Sequence, residues 1–244
     1  MLPFLLLLPF LFALQDPPPN SPWQGKADFG LTLLTGNNQN TNVDFHGELK
    51  QLLEGRRWIL RGDYSGVRQG NPVDGSSTTV SRLTHISAEH HRYLDEVGDF
   101  YGYGKSSGRR DTPNGLELRA DLGFGIGWIY HWSKSQNTLT LEVGPSLLRE
   151  DNVGTEKVDT WSGRAAAELG IPLMENWEFS SKGEYFASTE DGADRSFTNR
   201  VSLAWNFKED WYLKFGNSLA WDGTPAPGFS ETDIRWSINI GTQF

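Results

Sequence analysis

One stretch of alternating residues, positions 115–132 (GLELRADLGFGIGWIYHW), limits the folds open to this chain more than any other feature. Its even positions are all apolar or aromatic, whereas its odd positions, Ile129 apart, are glycine, charged or polar. Period two over this length predicts a long β-strand with two unlike faces, because a helix would scatter the charges around its circumference. Gly123, Gly125 and Gly127 therefore do not form a nucleotide-binding loop, which needs the spacing G-x-G-x-x-G between a strand and a helix.

The same alternation recurs along the rest of the chain and predicts twelve strands in all. Ten of them alternate clearly, at 23–35, 42–52, 57–67, 115–132, 138–148, 160–171, 177–187, 197–207, 211–221 and 234–244. Two are weaker, since 80–93 alternates poorly, which predicts a bulge, and 100–105 is short but aromatic. The segment that follows, SSGRRDTPN at 106–114, is predicted to be a loop.

The connections between the predicted strands differ at the two ends. Every second connection is short (LEGRR, LDEVGD, SKSQN, PLMEN and KED), and most of the others are longer. Short turns at one end and longer loops at the other are typical of outer-membrane barrels, and an even number of strands places both termini on the periplasmic side. The predicted fold class is an all-β, antiparallel, transmembrane up-and-down β-barrel of about 12 strands with both termini periplasmic.

Several properties favour an apolar face turned outward to lipid. The predicted strands are about 10–13 residues long, as a tilted membrane strand requires. Their polar faces carry charges of both signs, which is costly in a dry core but suits a wet lumen. The tryptophans predict an aromatic girdle, with Trp23, Trp58, Trp128, Trp132, Trp177, Trp205 and Trp211 near the periplasmic ends and Trp161, Trp221 and Trp236 near the outer ends. A soluble secreted β protein stays open as an alternative.

Composition and the N-terminus narrow the class further. The chain of 244 residues has a formal net charge of −9 and no cysteine, which argues against a nucleic-acid partner and excludes disulfides and cysteine-based metal sites. The apolar run at 1–14 is too short to span a membrane as a helix. The sequence predicts a signal peptide at 1–15, a Pro-rich linker at 16–22 and an outer-membrane barrel at 23–244.

The opening of the predicted barrel, WQGKADFGLTLLTGNNQNTN, is similar to the start of the family of salt-induced outer-membrane proteins, domain of unknown function 481. The matching residues are Trp23, Gly25, Gly30, Thr35, Gly36, Asn37 and Thr41, and the strand that holds Arg119, Gly125 and Gly127 is also similar. The resemblance covers about 23–244 and implies a barrel in the bacterial outer membrane. It implies no activity, because the family has no defined one.

On this topology the polar faces of the strands line the lumen. The predicted lumen-lining residues are Asp28, Asp44, Glu48, Arg61, Asp63, Glu117, Arg119, Asp121, Arg164, Glu168, Lys182, Arg200 and Arg235. Their mixed charges have two compatible interpretations, ion pairs that stiffen a structural barrel and a narrow channel for small polar solutes. Gly123, Gly125 and Gly127 lie on the same face, and we expect them to widen the lumen locally. No cofactor or metal site is predicted.

Three further features carry hypotheses of their own. His85 and Ser87 share a strand face and resemble the His-x-Ser layout of lipid A deacylases, so a barrel-embedded lipid ester hydrolase is the alternative function if both face lipid. His90 and His91 are adjacent and point opposite ways, so a metal would need ligands from other strands. Phe244 resembles the terminal sorting signal of outer-membrane proteins, which predicts the barrel-assembly machinery as a partner besides outer-membrane lipid. The sequence leaves the oligomeric state open, with a monomer as the default.

Overall fold

The computed structural model describes residues 23–35, 41–70, 77–112, 115–133 and 136–244. They form one closed antiparallel barrel in which each strand pairs with its neighbours in sequence and the last strand pairs with the first. The twelve strands are β1 (Trp23–Thr35), β2 (Thr41–Leu53), β3 (Arg56–Gly70), β4 (Ser77–Tyr93), β5 (Phe100–Asp111), β6 (Leu116–Trp132), β7 (Asn137–Asn152), β8 (Val158–Met174), β9 (Trp177–Ser188), β10 (Arg195–Lys208), β11 (Trp211–Asp222) and β12 (Thr232–Gln243). The closed antiparallel up-and-down barrel and the number of strands are as predicted. The predicted signal peptide (1–15) and linker (16–22) lie outside the described residues.

The two ends of the barrel are unlike. We call the end where β1 begins and β12 finishes the turn end, and the opposite end the loop end. The fully described turn-end connections are 54–55, 94–99, 175–176 and 209–210, and the fully described loop-end connections are 153–157, 189–194 and 223–231. Several strands run further into the predicted outer loops than expected, so these loops are shorter than the sequence indicated.

Strand β5 is the largest correction to the predicted boundaries. It extends over Phe100–Asp111, whereas the sequence predicted 100–105 followed by a loop. The odd positions from Lys105 onward are polar and face the interior, but the outward positions between them, Ser106, Gly108 and Arg110, are not apolar either. The alternation is therefore present without an apolar partner face to reveal it. The irregularity predicted in β4 appears as a register shift against β3 between Thr79 and Ser81.

The two faces of the sheet are inverted relative to a soluble protein. Exposed large apolar side chains recur at alternate positions on the outside, as at Leu31 (56% exposed), Phe124 (56%) and Ile238 (55%). The fully buried side chains are mostly polar and include Asp28 and Arg164. An apolar exterior around a polar interior is the pattern of a membrane barrel, so the alternative of a soluble secreted β protein is wrong. Within the described residues, no helix has the length and apolar character needed to cross a membrane.

The tryptophans lie near the ends of their strands. Trp23, Trp177 and Trp211 each begin a strand at the turn end. The turn-end group also contains Trp58, Trp128, Trp132 and Trp205, and the loop-end group is Trp161, Trp221 and Trp236. The rings of Trp177 and Trp205 stack with their centroids 6.0 Å apart. This distribution is the one expected of rings that sit at the two membrane–water interfaces.

The chain terminus completes the barrel at the turn end. The Phe244 amide donates to the Gly25 carbonyl at 2.9 Å, and the Gly25 amide donates to the Phe244 carbonyl at 2.8 Å. The Phe244 ring lies over Gly25, where a Cβ atom would collide with it. The absence of a side chain at Gly25 in the first strand therefore leaves room for the aromatic ring of Phe244.

Candidate functional site: the barrel interior

The interior holds a cavity of about 380 Å³ whose wall is rich in charge. Its acidic lining residues are Asp28, Asp44, Glu48, Asp63, Glu89, Asp121, Glu168 and Glu184. Its basic lining residues are Arg61, Lys105, Arg109, Arg119, Lys182, Arg200, Lys214 and Arg235. The two sets are equal in number, so the wall is balanced in formal charge although the whole chain carries −9.

Most of the predicted lumen-lining residues border this cavity. They are Asp28, Asp44, Glu48, Arg61, Asp63, Arg119, Asp121, Glu168, Lys182, Arg200 and Arg235. Arg164 faces inward but lies below the cavity surface, 1% exposed, where it donates to Glu184 at 2.6 Å and to Glu142 at 3.0 Å. The cavity thus rests on the ion pairs that the buried Arg164 makes with two glutamates.

Glu117 does not line the cavity, and its placement in the lumen was wrong. The pairing of β6 with β7 shifts between Leu116 and Leu118, which makes Glu117 the extra residue of a bulge. Leu116 is buried in its place, and Glu117 is exposed. A bulge of one residue moves the side chains that precede it in the strand to the opposite face of the sheet. A prediction that assumes strict alternation cannot detect such a bulge.

Ion pairs cross the lumen between strands that are four or five places apart around the wall. They are Lys105 with Glu184, Lys182 with Glu89 (3.7 Å), Arg61 with Glu168 (3.9 Å), Arg200 with Asp63 (3.1 Å) and Arg235 with Asp111 (2.7 Å). Because each pair joins opposite walls, together they divide the interior and hold its cross-section narrow.

The middle of this network is a compact cluster of alternating charge. Its basic members are Arg61, Lys105, Arg164 and Lys182, and its acidic members are Glu89, Glu142, Glu168 and Glu184. Four charges of each sign make the cluster neutral as a whole. Removing one member would leave a buried charge without full compensation, which in other proteins costs about 3–5 kcal/mol. The cluster is therefore sensitive to any single charge change.

Two tyrosines form the floor of the interior toward the turn end. Tyr101 and Tyr103 on β5 pair with Gly127 and Gly125 on β6, and their rings occupy the space where glycine Cβ atoms would lie. Tyr101 is fully buried, donates from its hydroxyl to Glu142 at 2.8 Å and stacks on an imidazole 4.4 Å away. The glycines face the interior as expected, but the local widening predicted for them is wrong at Gly125 and Gly127, where tyrosine rings fill the space, and Gly123 lies against Ser146 of β7.

Two histidines share one carboxylate in the cavity wall. Asp63 Oδ1 lies 2.5 Å from His46 Nδ1, and Asp63 Oδ2 lies 2.9 Å from His85 Nδ1. Ser87 lies on the same inner face and also borders the cavity. His85 and Ser87 therefore face the lumen and not lipid, which removes the access to acyl chains that the lipid ester hydrolase hypothesis requires.

His90 and His91 point to opposite faces of β4. His90 packs on the Trp58 ring outside the barrel, with centroids 4.4 Å apart. His91 stacks on Tyr101 inside. In the described part of the chain, no group of three or more His, Asp or Glu side chains is placed to hold a metal ion.

The connection between β11 and β12, residues 223–231, lies over the loop end of the interior. Its Phe229 ring packs against Gly115, which belongs to the connection between β5 and β6 on the opposite wall. Its Ala226 is 4% exposed. A small cavity of about 40 Å³ lies beneath it, bordered by Arg119 of β6 and Pro225 of the connection. We call residues 223–231 the cap loop.

A polar contact holds the base of the cap loop. The Thr224 hydroxyl donates to Asp194 Oδ1 at 3.4 Å, and the Gly223 amide donates to the Arg195 carbonyl at 2.8 Å. Burial raises the pKa of the Asp194 carboxyl above its ordinary value, against the opposing effect of Arg119. The cap loop is thus tied at its base to the neighbouring connection and at Phe229 to the far wall.

Residues 27–244 match the model of a family described as protein of unknown function, DUF481. The chain belongs to this family. The resemblance stated from the first strand is therefore confirmed over almost the whole barrel. No curated protein matches the chain.

Solved structures place the DUF481 chain among membrane barrels. It is similar to the NanC porin, with a TM-score of 0.58 and 8% identity over 88% of this chain and 98% of the other. It is also similar to the translocator domain of the autotransporter NalP from Neisseria meningitidis, with a TM-score of 0.51 and 14% identity over 96% of this chain and 92% of the other. At these identities the likeness establishes a shared fold. Together with its apolar exterior, it identifies this DUF481 protein as a β-barrel of the bacterial outer membrane.

Proposed function

We propose that this protein is a narrow channel for small polar solutes. The observation that carries the proposal is the charge-balanced cavity of about 380 Å³ inside a closed barrel. A wall that alternates acidic and basic groups offers hydrogen bonds to a hydrated or polar solute and disfavours an apolar one. The narrow cross-section, set by the ion pairs that cross the lumen, limits such a solute in size.

Long charged side chains line the cavity both from β3 to β6 and from β9 to β12. On β9 to β12 they alternate with small polar residues, which are Ser180, Thr198, Ser202, Ser218 and Ser237. Short hydroxyl side chains leave room and can replace the hydration of a passing solute. These residues support a route for the solute along β9 to β12.

Conductance in planar bilayers tests the proposal. We expect small single-channel currents from the purified barrel, and larger ones after Lys105→Ala, which removes an ion pair across the lumen. This variant should fold, because Glu184 keeps Arg164 at 2.6 Å and Glu89 keeps Arg61 at 3.0 Å. The matched control is Arg149→Ala, which removes one basic residue from an exposed ion pair. An absence of current above that of lipid alone, in both the unmodified protein and Lys105→Ala, would reject the channel.

The ion pairs across the lumen favour a second candidate, a closed barrel with a structural role in the envelope. Each pair ties opposite walls and resists flattening of the cross-section. The same recordings distinguish the two functions, because a structural barrel carries no solute current in either variant. Unfolding in denaturant would then show Lys105→Ala to be less stable than Arg149→Ala.

A further inference from the structure

One basic side chain of the lumen differs from the others in its exposure. The side chain of Arg200 on β10 is 48% exposed, whereas that of Lys182, the next most exposed basic residue of the cavity wall, is 29% exposed. Among the described residues, the Arg200 guanidinium donates one hydrogen bond, from Nη1 to Asp63 Oδ2 at 3.1 Å. A guanidinium carries five N–H donors, so most of the donors of Arg200 remain for a molecule in the cavity.

Asp63 of β3, the partner of Arg200 across the lumen, does not depend on Arg200 for its hydrogen bonds. Its Oδ1 lies 2.5 Å from His46 Nδ1, and its Oδ2 lies 2.9 Å from His85 Nδ1. Because a carboxylate only accepts hydrogen bonds, both imidazoles donate to it. If Arg200 moved away, each oxygen of Asp63 would keep one donor, and neither would be left unsatisfied. Arg200 can therefore exchange this carboxylate for another one.

The other ion pairs that cross the lumen are less accessible to a solute. The basic side chains of Lys105, Arg61 and Arg235 are 11% exposed or less, and all three border the same cavity as Arg200. Each of them is covered by its neighbours and cannot leave its carboxylate without exposing a buried charge pair. A solute in the cavity therefore meets Arg200 more readily than these three residues.

The charges beside Arg200 favour an anion as its ligand. Lys182 of β9 pairs directly with Arg200 in the sheet, which places two positive side chains next to each other on the wall. Like charges in directly opposed positions are unfavourable, and an anion at Arg200 would reduce this repulsion. The exposed carboxylate in this region, Glu168, is compensated already, because Lys182 lies 3.2 Å from it and Arg61 lies 3.9 Å from it.

The guanidinium group also limits the kind of anion. Its planar arrangement of N–H donors matches two oxygens of a carboxylate or phosphate group, and such paired hydrogen bonds are among the strong ones in proteins. Asp63 shows that a carboxylate can reach this position, since it occupies one of the donors of Arg200. The cavity of about 380 Å³ limits the solute to a small one.

We infer that Arg200 binds the carboxylate or phosphate group of a small solute in the lumen, and that Asp63 stays with its two histidines when Arg200 does so. The inference deepens the channel proposal and rests on it for the passage of the solute, because it names small oxyanions as the solutes. Binding is measured without any current, so the two proposals can fail separately.

Calorimetric titration of the purified barrel in detergent with inorganic phosphate measures the binding. We expect one phosphate per barrel, and Arg200→Gln should weaken its affinity about tenfold or more, because charge-assisted hydrogen bonds are lost. Arg200→Lys keeps the charge but not the planar donors, so it should weaken the affinity less. Reversal potentials in a potassium chloride gradient across planar bilayers are the second measurement. The ratio of chloride to potassium permeability should fall several-fold in Arg200→Gln.

Arg149→Gln is the matched control, because it makes the same chemical change at an exposed site where Arg149 pairs with Asp159. It should match the unmodified protein in both measurements. The inference is overturned if phosphate does not bind, or if Arg200→Gln equals the control in affinity or in permeability ratio. Phosphate binding that depends on Arg200 in a barrel without current supports the binding site and rejects the channel. If Arg200→Gln fails to fold, Arg200→Lys decides by the same comparison.

Discussion

Tyrosine rings laid over glycines shape the interior at the level of single residues. Tyr101 covers Gly127 in this way, and Tyr212 covers Gly241 on the opposite wall. The alternation in the sequence was enough to predict that the glycines of β6 face the interior. It could not show what fills the space above them, because the ring comes from another strand and the register that brings it there depends on the whole sheet.

The tyrosine floor gives a prediction at this scale. Gly127→Ala places a methyl group inside van der Waals distance of the Tyr101 ring, so it should lower the free energy of unfolding by about 1–3 kcal/mol. Urea titration of the barrel in detergent, followed by tryptophan fluorescence, measures the change.

Gly104→Ala is the control for this prediction. Gly104 lies on the exterior of β5 with nothing within 4 Å of a Cβ atom, so its substitution should change stability by less than about 0.5 kcal/mol. Equal losses in the two variants would show that the ring contact is not the cause.

At the level of elements, the sequence predicted the existence of the strands better than the residues at which they begin and end. Alternation located ten strands clearly and β4 and β5 only weakly, because lipid on one side and a polar lumen on the other impose it along most of the chain. It failed where the outward face lacks apolar residues, as in the second half of β5, and where a bulge at Glu117 reverses parity. The connection at 223–231 was predicted as a loop, but its reach across the barrel was not, because no local pattern indicates that Phe229 contacts the opposite wall.

The cap loop gives a prediction at the level of elements. Phe229→Ala removes its contact with Gly115, so the loop should open more often and become easier to cleave. A protease specific for glutamate cuts after Glu231, and we expect the rate of this cut to rise several-fold.

Val97→Ala serves as the control for the cap loop. Val97 is 80% exposed in a turn-end connection, so its truncation removes apolar atoms without removing packing. A cut after Glu231 that proceeds at the same rate in Phe229→Ala and Val97→Ala would mean that Phe229 does not hold the loop.

For the molecule as a whole, the sequence predicted a charged, polar interior but not which charged residues pair across it. It assigned charges of both signs to the lumen, and most of them border the cavity. It did not pair Lys105 with Glu184 or Asp63 with Arg200, because partners on opposite walls are far apart in sequence and share no pattern. The periplasmic position of both termini and recognition of Phe244 by the assembly machinery stay predictions.

A barrel with an apolar exterior and a polar interior gives a prediction for the behaviour of the entire molecule. The protein should stay in the membrane fraction after carbonate washing and migrate differently in gel electrophoresis before and after boiling, because the closed sheet resists detergent until it is heated. Release by carbonate, or equal mobility with and without boiling, would contradict a lipid-embedded barrel.

The contact between Gly25 and Phe244 also bears on the order of folding. Eleven of the twelve strand pairings join consecutive strands and need only short loops to close. The pairing of β1 with β12 joins the two ends of the chain and carries most of the loop-closure entropy. Contacts so distant in sequence slow folding. We therefore expect the pairing of β1 with β12 to form last and to limit the rate at which the barrel closes. Until then the chain exposes two open sheet edges, so a chain that lacks the last strand cannot form the pairing that removes them.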